Sequence, residues 1–311
     1  MSAAAAIPVS SQPTPHDLVR ELTHLPSAPR VLPRLKELLS DGNSSMHDVV
    51  ALVRLDPAIA ARVLQMGNSA YFGQGLRCST VDEAVNRVGY AQIYDLVSYA
   101  VASQVLVRPL AVYGLEIDEL WRMSVVCALA AETLAVQTGQ DRDVAYTVGL
   151  LHCLGMVVID EWALRQQAKL VLPSRGMPRE ATEAERAALG FTQAEAGAVL
   201  LRHWDFPHAM CAPVRWQYAP RSCASHPRMA CLLQCAKWLR AVVCGGDAAG
   251  GLPPLPPASV LQMLPLRPAE LPKLAGGVRQ RLEEVSSLLE PSGKTRGAGT
   301  AGSRFPVSPA A

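Results

Sequence analysis

Aromatic residues are scarce: Phe, Tyr and Trp make up 5% of the 311 residues, and only 18% are charged. A core with so few rings must rest on Ala, Leu, Val and Met, a palette that favours helices over sheets. Alternating polar and apolar stretches are missing as well, whereas apolar positions recur at helical spacing almost throughout. Nor is there an excess of one charge, since 29 basic residues face 27 acidic ones for a net +2. Counterion release needs clustered positive charge, so nucleic acid and anionic membrane surfaces are poor partners. The opening Met1 to Ala6 has no basic start and no long apolar run, which excludes a secretory signal at that point. The most apolar stretch, Leu96 to Leu115, is interrupted by Gln104, Arg108 and Pro109 and bordered by Asp95. It reads as a buried helix ending near Arg108, because those polar groups make a bilayer span costly.

Paired cysteines are absent too. The eight cysteines (78, 127, 153, 211, 223, 231, 235 and 244) form no CxxC and fall mostly in apolar helical pattern, as small buried hydrophobes do. That usage fits a reducing cytoplasm. His203, His208, Cys211, Cys223, His226, Cys231 and Cys235 crowd one region, but structural zinc sites use tighter paired spacings. Reduced core cysteines are the simpler reading, and no cofactor or metal is expected. The sequence contains no GxSxG elbow, no GxxxxGK[ST] loop and no GxGxxG. Glu183 and Glu185 read as the solvated face of a polar helix, and Arg175 and Arg179 as an exposed turn.

What is present is an all-α chain with clear punctuation. Residues 1–15 and 291–311 are Ala, Ser, Pro and Gly in composition and read as disordered tails. Ser45 with Asp48 has capping-box spacing, Asp56-Pro57 places an N-cap before a first-turn proline, and Thr80 to Glu83 is a full capping box. Gly89 closes the last of these helices. Asp118 is expected to cap a long helix through Gln137, with Gly139 behind it. Further helices are expected at about 141–152, 154–170, 179–189, 192–203, 207–217 and 226–244. Glycine and proline pairs at 245–257 mark a loop. Leu274, Val278, Leu282, Val285 and Leu289 then form an apolar stripe that must dock on the bundle or on a partner.

One segment stands out chemically: Gly149-Leu150-Leu151-His152-Cys153-Leu154-Gly155-Met156-Val157. Read alone, it is a buried helix-to-helix corner whose imidazole bonds a backbone carbonyl. It also resembles the GLLHDIG signature of the HD superfamily of metal-dependent phosphohydrolases. A two-metal phosphodiester centre needs a bridging carboxylate and imidazoles. Here Cys153 stands at the Asp position. Trp121-Arg122-Met123-Ser124 resembles the segment holding that superfamily's first histidine, with Met123 in its place. Gln193 stands for another histidine, and Gln217 with Tyr218 for a pair before Pro220. Only His152 survives, so the resemblance implies a fold without its metals and no catalytic residue.

The N-terminal half makes the resemblance specific. Leu25-Pro26-Ser27-Ala28-Pro29 followed by Leu32, Leu35 and Leu38, then Asp56-Pro57 to Asn68-Ser69-Ala70-Tyr71-Phe72, resembles the HDOD domain, the HD-related output domain of bacterial signalling. Thr80 to Gly89 and the late Leu200, Leu201, Trp204 and Pro207 extend it over roughly residues 18–221. The resemblance implies an HD-like helical bundle at 16–221 with a helical extension at 222–290. It further implies a non-enzymatic cytoplasmic regulator acting through protein partners, of a kind often fused to receiver, EAL or GGDEF domains; this chain is expected to depart in having no room for one, so that input comes from a separate protein or a ligand. Asn68 and Ser69 read as a helix end in left-handed conformation with a capped turn. Tyr71 and Phe72 alternatively form an exposed recognition loop. The degenerate pocket around Met123, His152, Cys153, Gln193 and Gln217 would offer amides and a histidine to a small molecule, a nucleotide or cyclic dinucleotide among them.

Overall fold

A computed structural model describes residues 13–22, 31–40, 44–73, 75–103, 109–174, 178–245 and 252–289. Residues 1–12 and 291–311 of the expected tails, the Leu25–Pro29 motif, Arg175 and 246–251 of the 245–257 loop lie outside these residues, as does the side chain of Arg179. Among the described residues the regular structure is helical, with a single isolated bridge between Leu110 and Leu115.

The N-terminal half contains α1 (Pro15–Glu21), α2 (Val31–Ser40), α3 (Met46–Val53), α4 (Pro57–Asn68), the single turn α5 (Ala70–Gly73), α6 (Val81–Val88) and α7 (Tyr90–Ser103). Their starts follow the local chemistry. Thr14 caps α1 through Asp17, so helix begins at Pro15, inside the segment expected as a tail. Ser45 and Asp48 close a reciprocal capping box on α3, and Thr80 and Glu83 do the same on α6. Asp56 is fully buried, and its carboxylate accepts from the N–H groups of Ala58 and Ile59 at 2.8 and 3.0 Å. Gly89 ends α6 at φ 85°, a conformation cheap for glycine alone. The expected helix over 96–108 is seen as the end of α7, and 104–108 lie outside the described residues.

The second half contains α8 (Ile117–Thr138), α9 (Arg142–Leu151), α10 (Leu154–Arg165), α11 (Pro178–Leu189), α12 (Gln193–His203), α13 (His208–Arg215), α14 (Pro227–Cys244), α15 (Ala258–Leu261) and α16 (Leu274–Leu288). Three sequence expectations change. The N-cap of α8 is Glu116, whose N–H donates to Glu119, and Asp118 lies within the first turn. Helix α10 stops at Arg165 instead of 170: Gln167 is left-handed at φ 50°, and the N–H groups of Gln167 and Ala168 return to Leu164 and Ala163, which closes a Schellman motif. Asn68 is not left-handed. It completes α4, and Ser69 follows in extended conformation.

Helix α8 is the hub, packed on α9, α14 and α16. The stripe of α16 docks on this bundle, with Val278 and Leu282 buried. A charged tie reinforces the docking. Buried Glu132 on α8 receives Arg54 at 3.2 Å, Arg142 at 3.1 Å and Arg281 of α16 in close contact, while Arg54 also reaches Asp82 and Asp143. One carboxylate thus links both halves and the extension. The continuous stretch 142–165 is long and apolar enough to cross a membrane, but 89% of its most apolar part is buried within the fold.

Candidate functional site

Two glycines build the corner that carries His152. A Cβ on Gly149 would meet Ala128 Cα and Cys127 O of α8 at 2.8 Å, and one on Gly155 would penetrate the backbone carbonyl of Gln193. Absence of side chains lets α9 lie against α8 and α10 against the start of α12. His152 ends α9, Cys153 precedes α10, and both face the opening turn of α12.

The imidazole of His152 is buried, and Nδ1 lies 2.7 Å from the Gly149 carbonyl. A carbonyl only accepts, so Nδ1 carries the hydrogen and Nε2 presents its lone pair. Arg240 of α14 donates to that Nε2 at 3.3 Å. Burial first, then the charges of Arg240 and Lys237, hold the His152 pKa well below 6.5, and the ring is neutral.

The replaced positions form one network. Cys153 shares a 2.9 Å contact with the Ser124 hydroxyl, and burial raises its thiol pKa. Gln193 donates from Nε2 to Tyr218 Oη at 2.8 Å, while its buried Oε1 has no partner among the described residues. Gln217 points away from the cavity: Nε2 donates to the carbonyls of His152 and Val214, and Oε1 accepts from Lys237 Nζ at 2.8 Å. The expectation that Gln217 lines the pocket is therefore corrected. Its amide is fully used inside the wall. Lys237 also lies 3.5 Å from the centre of the Tyr218 ring.

Glu185 corrects the sequence reading more sharply. It is buried and not solvated, accepting from Tyr113 Oη at 3.0 Å and from the Gln193 N–H at 2.8 Å. Burial pushes its pKa up to about 7 in spite of those two donors. Glu183, two residues earlier, is exposed as expected. The groups converge on a cavity of about 60 Å³ whose walls include Met123, His152, Cys153, Gln193, Tyr218 and Glu185, with Lys237 and Arg240 on its α14 side. Sequence reasoning missed Lys237, Arg240 and Glu185. The usable signal was a pair of cations three residues apart in the otherwise apolar second half of α14.

A divalent metal pair does not fit this donor set. A thioether, a thiol with a raised pKa, an amide and a phenol surround an imidazole whose free lone pair already faces a guanidinium. No bridging carboxylate is offered, because both Glu185 oxygens are engaged. Among the described residues, no three His, Cys, Asp or Glu side chains converge as a metal site; of the His203 to Cys235 group, His208 and His226 bring their rings to 5.5 Å without a third ligand.

The other motif residues lie elsewhere. Asn68 brackets Cys78, accepting its N–H at 2.6 Å and donating to its carbonyl at 3.3 Å. Ser69 returns its hydroxyl to the Met66 carbonyl. Pro57 opens α4 and Pro207 precedes α13, while Trp204, largely buried, ends α12 with Arg62 over its ring. Tyr71 is 83% exposed on the turn α5, whereas Phe72 packs against the core with its ring edge-on to Tyr71 at 4.7 Å.

A protein of Treponema pallidum (strain Nichols) is 29% identical over 198 residues, 62% of this chain, which spans only 37% of that relative's length. The fold is similar to the MmoQ response regulator of Methylococcus capsulatus str. Bath (TM-score 0.57, 18% identity, 86% of this chain and 98% of that one). It is similar also to a virulence factor of Campylobacter jejuni subsp. jejuni (TM-score 0.61, 19% identity, 73% of this chain and 83% of that one). The HDOD domain model matches residues 25–220, and the chain belongs to the HDOD domain family.

Proposed function

We propose that this protein is a non-enzymatic regulator in bacterial signal transduction, an output module that works through contacts with partner proteins. The observation that carries the reading is the interior of the old pocket. Its surviving histidine is neutral and capped by Arg240, and no carboxylate there is free to bridge metals. Without an activated water, phosphodiester cleavage has no nucleophile. Family membership and the naming of a solved relative as a response regulator support the regulatory part.

Protein contact is favoured by the surface around α5, where Tyr71 and Leu76 are 83% and 71% exposed. They border a hollow of about 470 Å³ with Phe72, Gly73 and Arg87. An exposed tyrosine beside an arginine is the kind of pair that anchors protein interfaces. A nucleotide in the old pocket is less favoured, because about 60 Å³ is far below the roughly 300 Å³ at which ligand pockets begin. The test is a hydrolysis panel of nucleotides, cyclic dinucleotides and model phosphodiesters with Mg²⁺, Mn²⁺ or Zn²⁺. Turnover that disappears in His152→Ala would overturn the proposal; none above buffer is expected.

A further inference from the structure

Helix α14 carries two cations, one buried and one part-buried, that the loss of catalysis does not explain. Lys237 and Arg240 are three residues apart, which places them on one side of the helix, and both line the cavity beside His152. Lys237 is 8% exposed. Among the described residues neither has a carboxylate within ion-pair distance, although buried charges are ordinarily paired. Lys237 uses one N–H on Gln217, and Arg240 uses one on His152. A guanidinium has five donors and an ammonium three, so most of their hydrogen-bonding capacity is uncommitted.

The rest of the wall offers no competing anion. Glu185, the carboxyl that lines the cavity, has both oxygens engaged by Tyr113 and Gln193. His152 is neutral, and Ser174 near the rim adds a hydroxyl. About 60 Å³ holds on the order of four waters or one small ion with its residual hydration. We propose that Lys237 and Arg240 form a binding site for a small tetrahedral oxyanion, inorganic phosphate foremost, in the space left by the lost metal centre. The site rests on the preceding reading that the pocket performs no hydrolysis, and it supplies a ligand input to a regulatory protein. Arg240 presents a planar fork suited to two oxygens of one anion, and an entering anion would hold Lys237, whose pKa burial otherwise lowers, in its ammonium form.

The test is calorimetric titration of the intact chain with inorganic phosphate at constant ionic strength, repeated with AMP and with Arg240→Gln and Lys237→Gln. One saturable site is expected, weakened at least about tenfold in each variant, the loss of one charge-assisted contact. Phosphate should bind more tightly than AMP, for which the cavity has no room. Absence of saturable phosphate binding, wild-type affinity in either variant, or tighter AMP binding would overturn the assignment. Arg240 is only part-buried, so its variant decides the matter if Lys237→Gln does not fold. Phosphoester turnover would refute the non-enzymatic reading while leaving phosphate binding standing. Absent binding together with absent turnover would refute only the oxyanion site.

Discussion

Glu185→Gln should change how stability depends on pH, with a sign opposite to the usual carboxylate. In the unfolded chain the group titrates near 4.5, and in the fold near 7. Between those values the folded protein holds a proton that the unfolded chain has released, so the contribution is complete below 4.5 and is lost as pH rises through about 7. At about 1.4 kcal/mol per pH unit, the difference is about 3 kcal/mol. Gln preserves the geometry, because its oxygen can accept from the Gln193 N–H and its amide can donate to Tyr113 Oη. His152 and Lys237, whose pKa values burial lowers, tilt the curve the other way. They are common to both proteins and largely cancel in the comparison. Urea unfolding of both proteins from pH 4.5 to 8 reads the effect. The wild type should lose about 3 kcal/mol relative to the variant across that range. A constant difference, or a wild type that gains stability relative to the variant, would refute the burial argument for Glu185.

Other perturbations probe the frame. Asn68→Ala leaves the N–H and C=O of Cys78 without their buried partners and should cost about 2–4 kcal/mol in chemical denaturation. Gly155→Ala forces a methyl into the Gln193 carbonyl, and separating α10 from α12 should cost about 3 kcal/mol or more, seen as a lowered Tm. Glu132→Ala removes the buried carboxylate that three arginines share and leaves Arg281 without an acid among the described residues, while Arg54 and Arg142 keep Asp143. It should destabilise by about 3 kcal/mol or more and expose α16 to limited proteolysis before the rest of the chain. Tyr71→Ala, by contrast, should leave stability within about 0.5 kcal/mol of wild type in the same denaturation experiment.

The parts legible in the sequence are those written by local chemistry. Ser45 with Asp48, Asp56 before Pro57, and Thr80 with Glu83 each needed only neighbours three or so residues away, and each cap is where the spacing placed it. His152 bonding a backbone carbonyl was readable for the same reason, because Gly149 is three residues upstream. The pocket's electrostatics were not readable. Glu185 is buried because it shares a face with Ala188 and Leu189 that α12 and Tyr113 cover, a tertiary fact that its polar neighbours Glu183 and Arg186 conceal. Lys237 and Arg240 enter the cavity only because α14 crosses α8 and α9. Asn68 misled because its side chain reaches ten residues on to Cys78, and a helix-end preference says nothing about that partner.

The most direct test of a pocket without metals is the metal content of the intact protein, purified from cells supplemented with manganese, iron and zinc and measured by elemental analysis against its His152→Ala variant. Substoichiometric metal, equal in the two proteins, is the expected result. One or two equivalents of a divalent ion that vanish with His152 would contradict it.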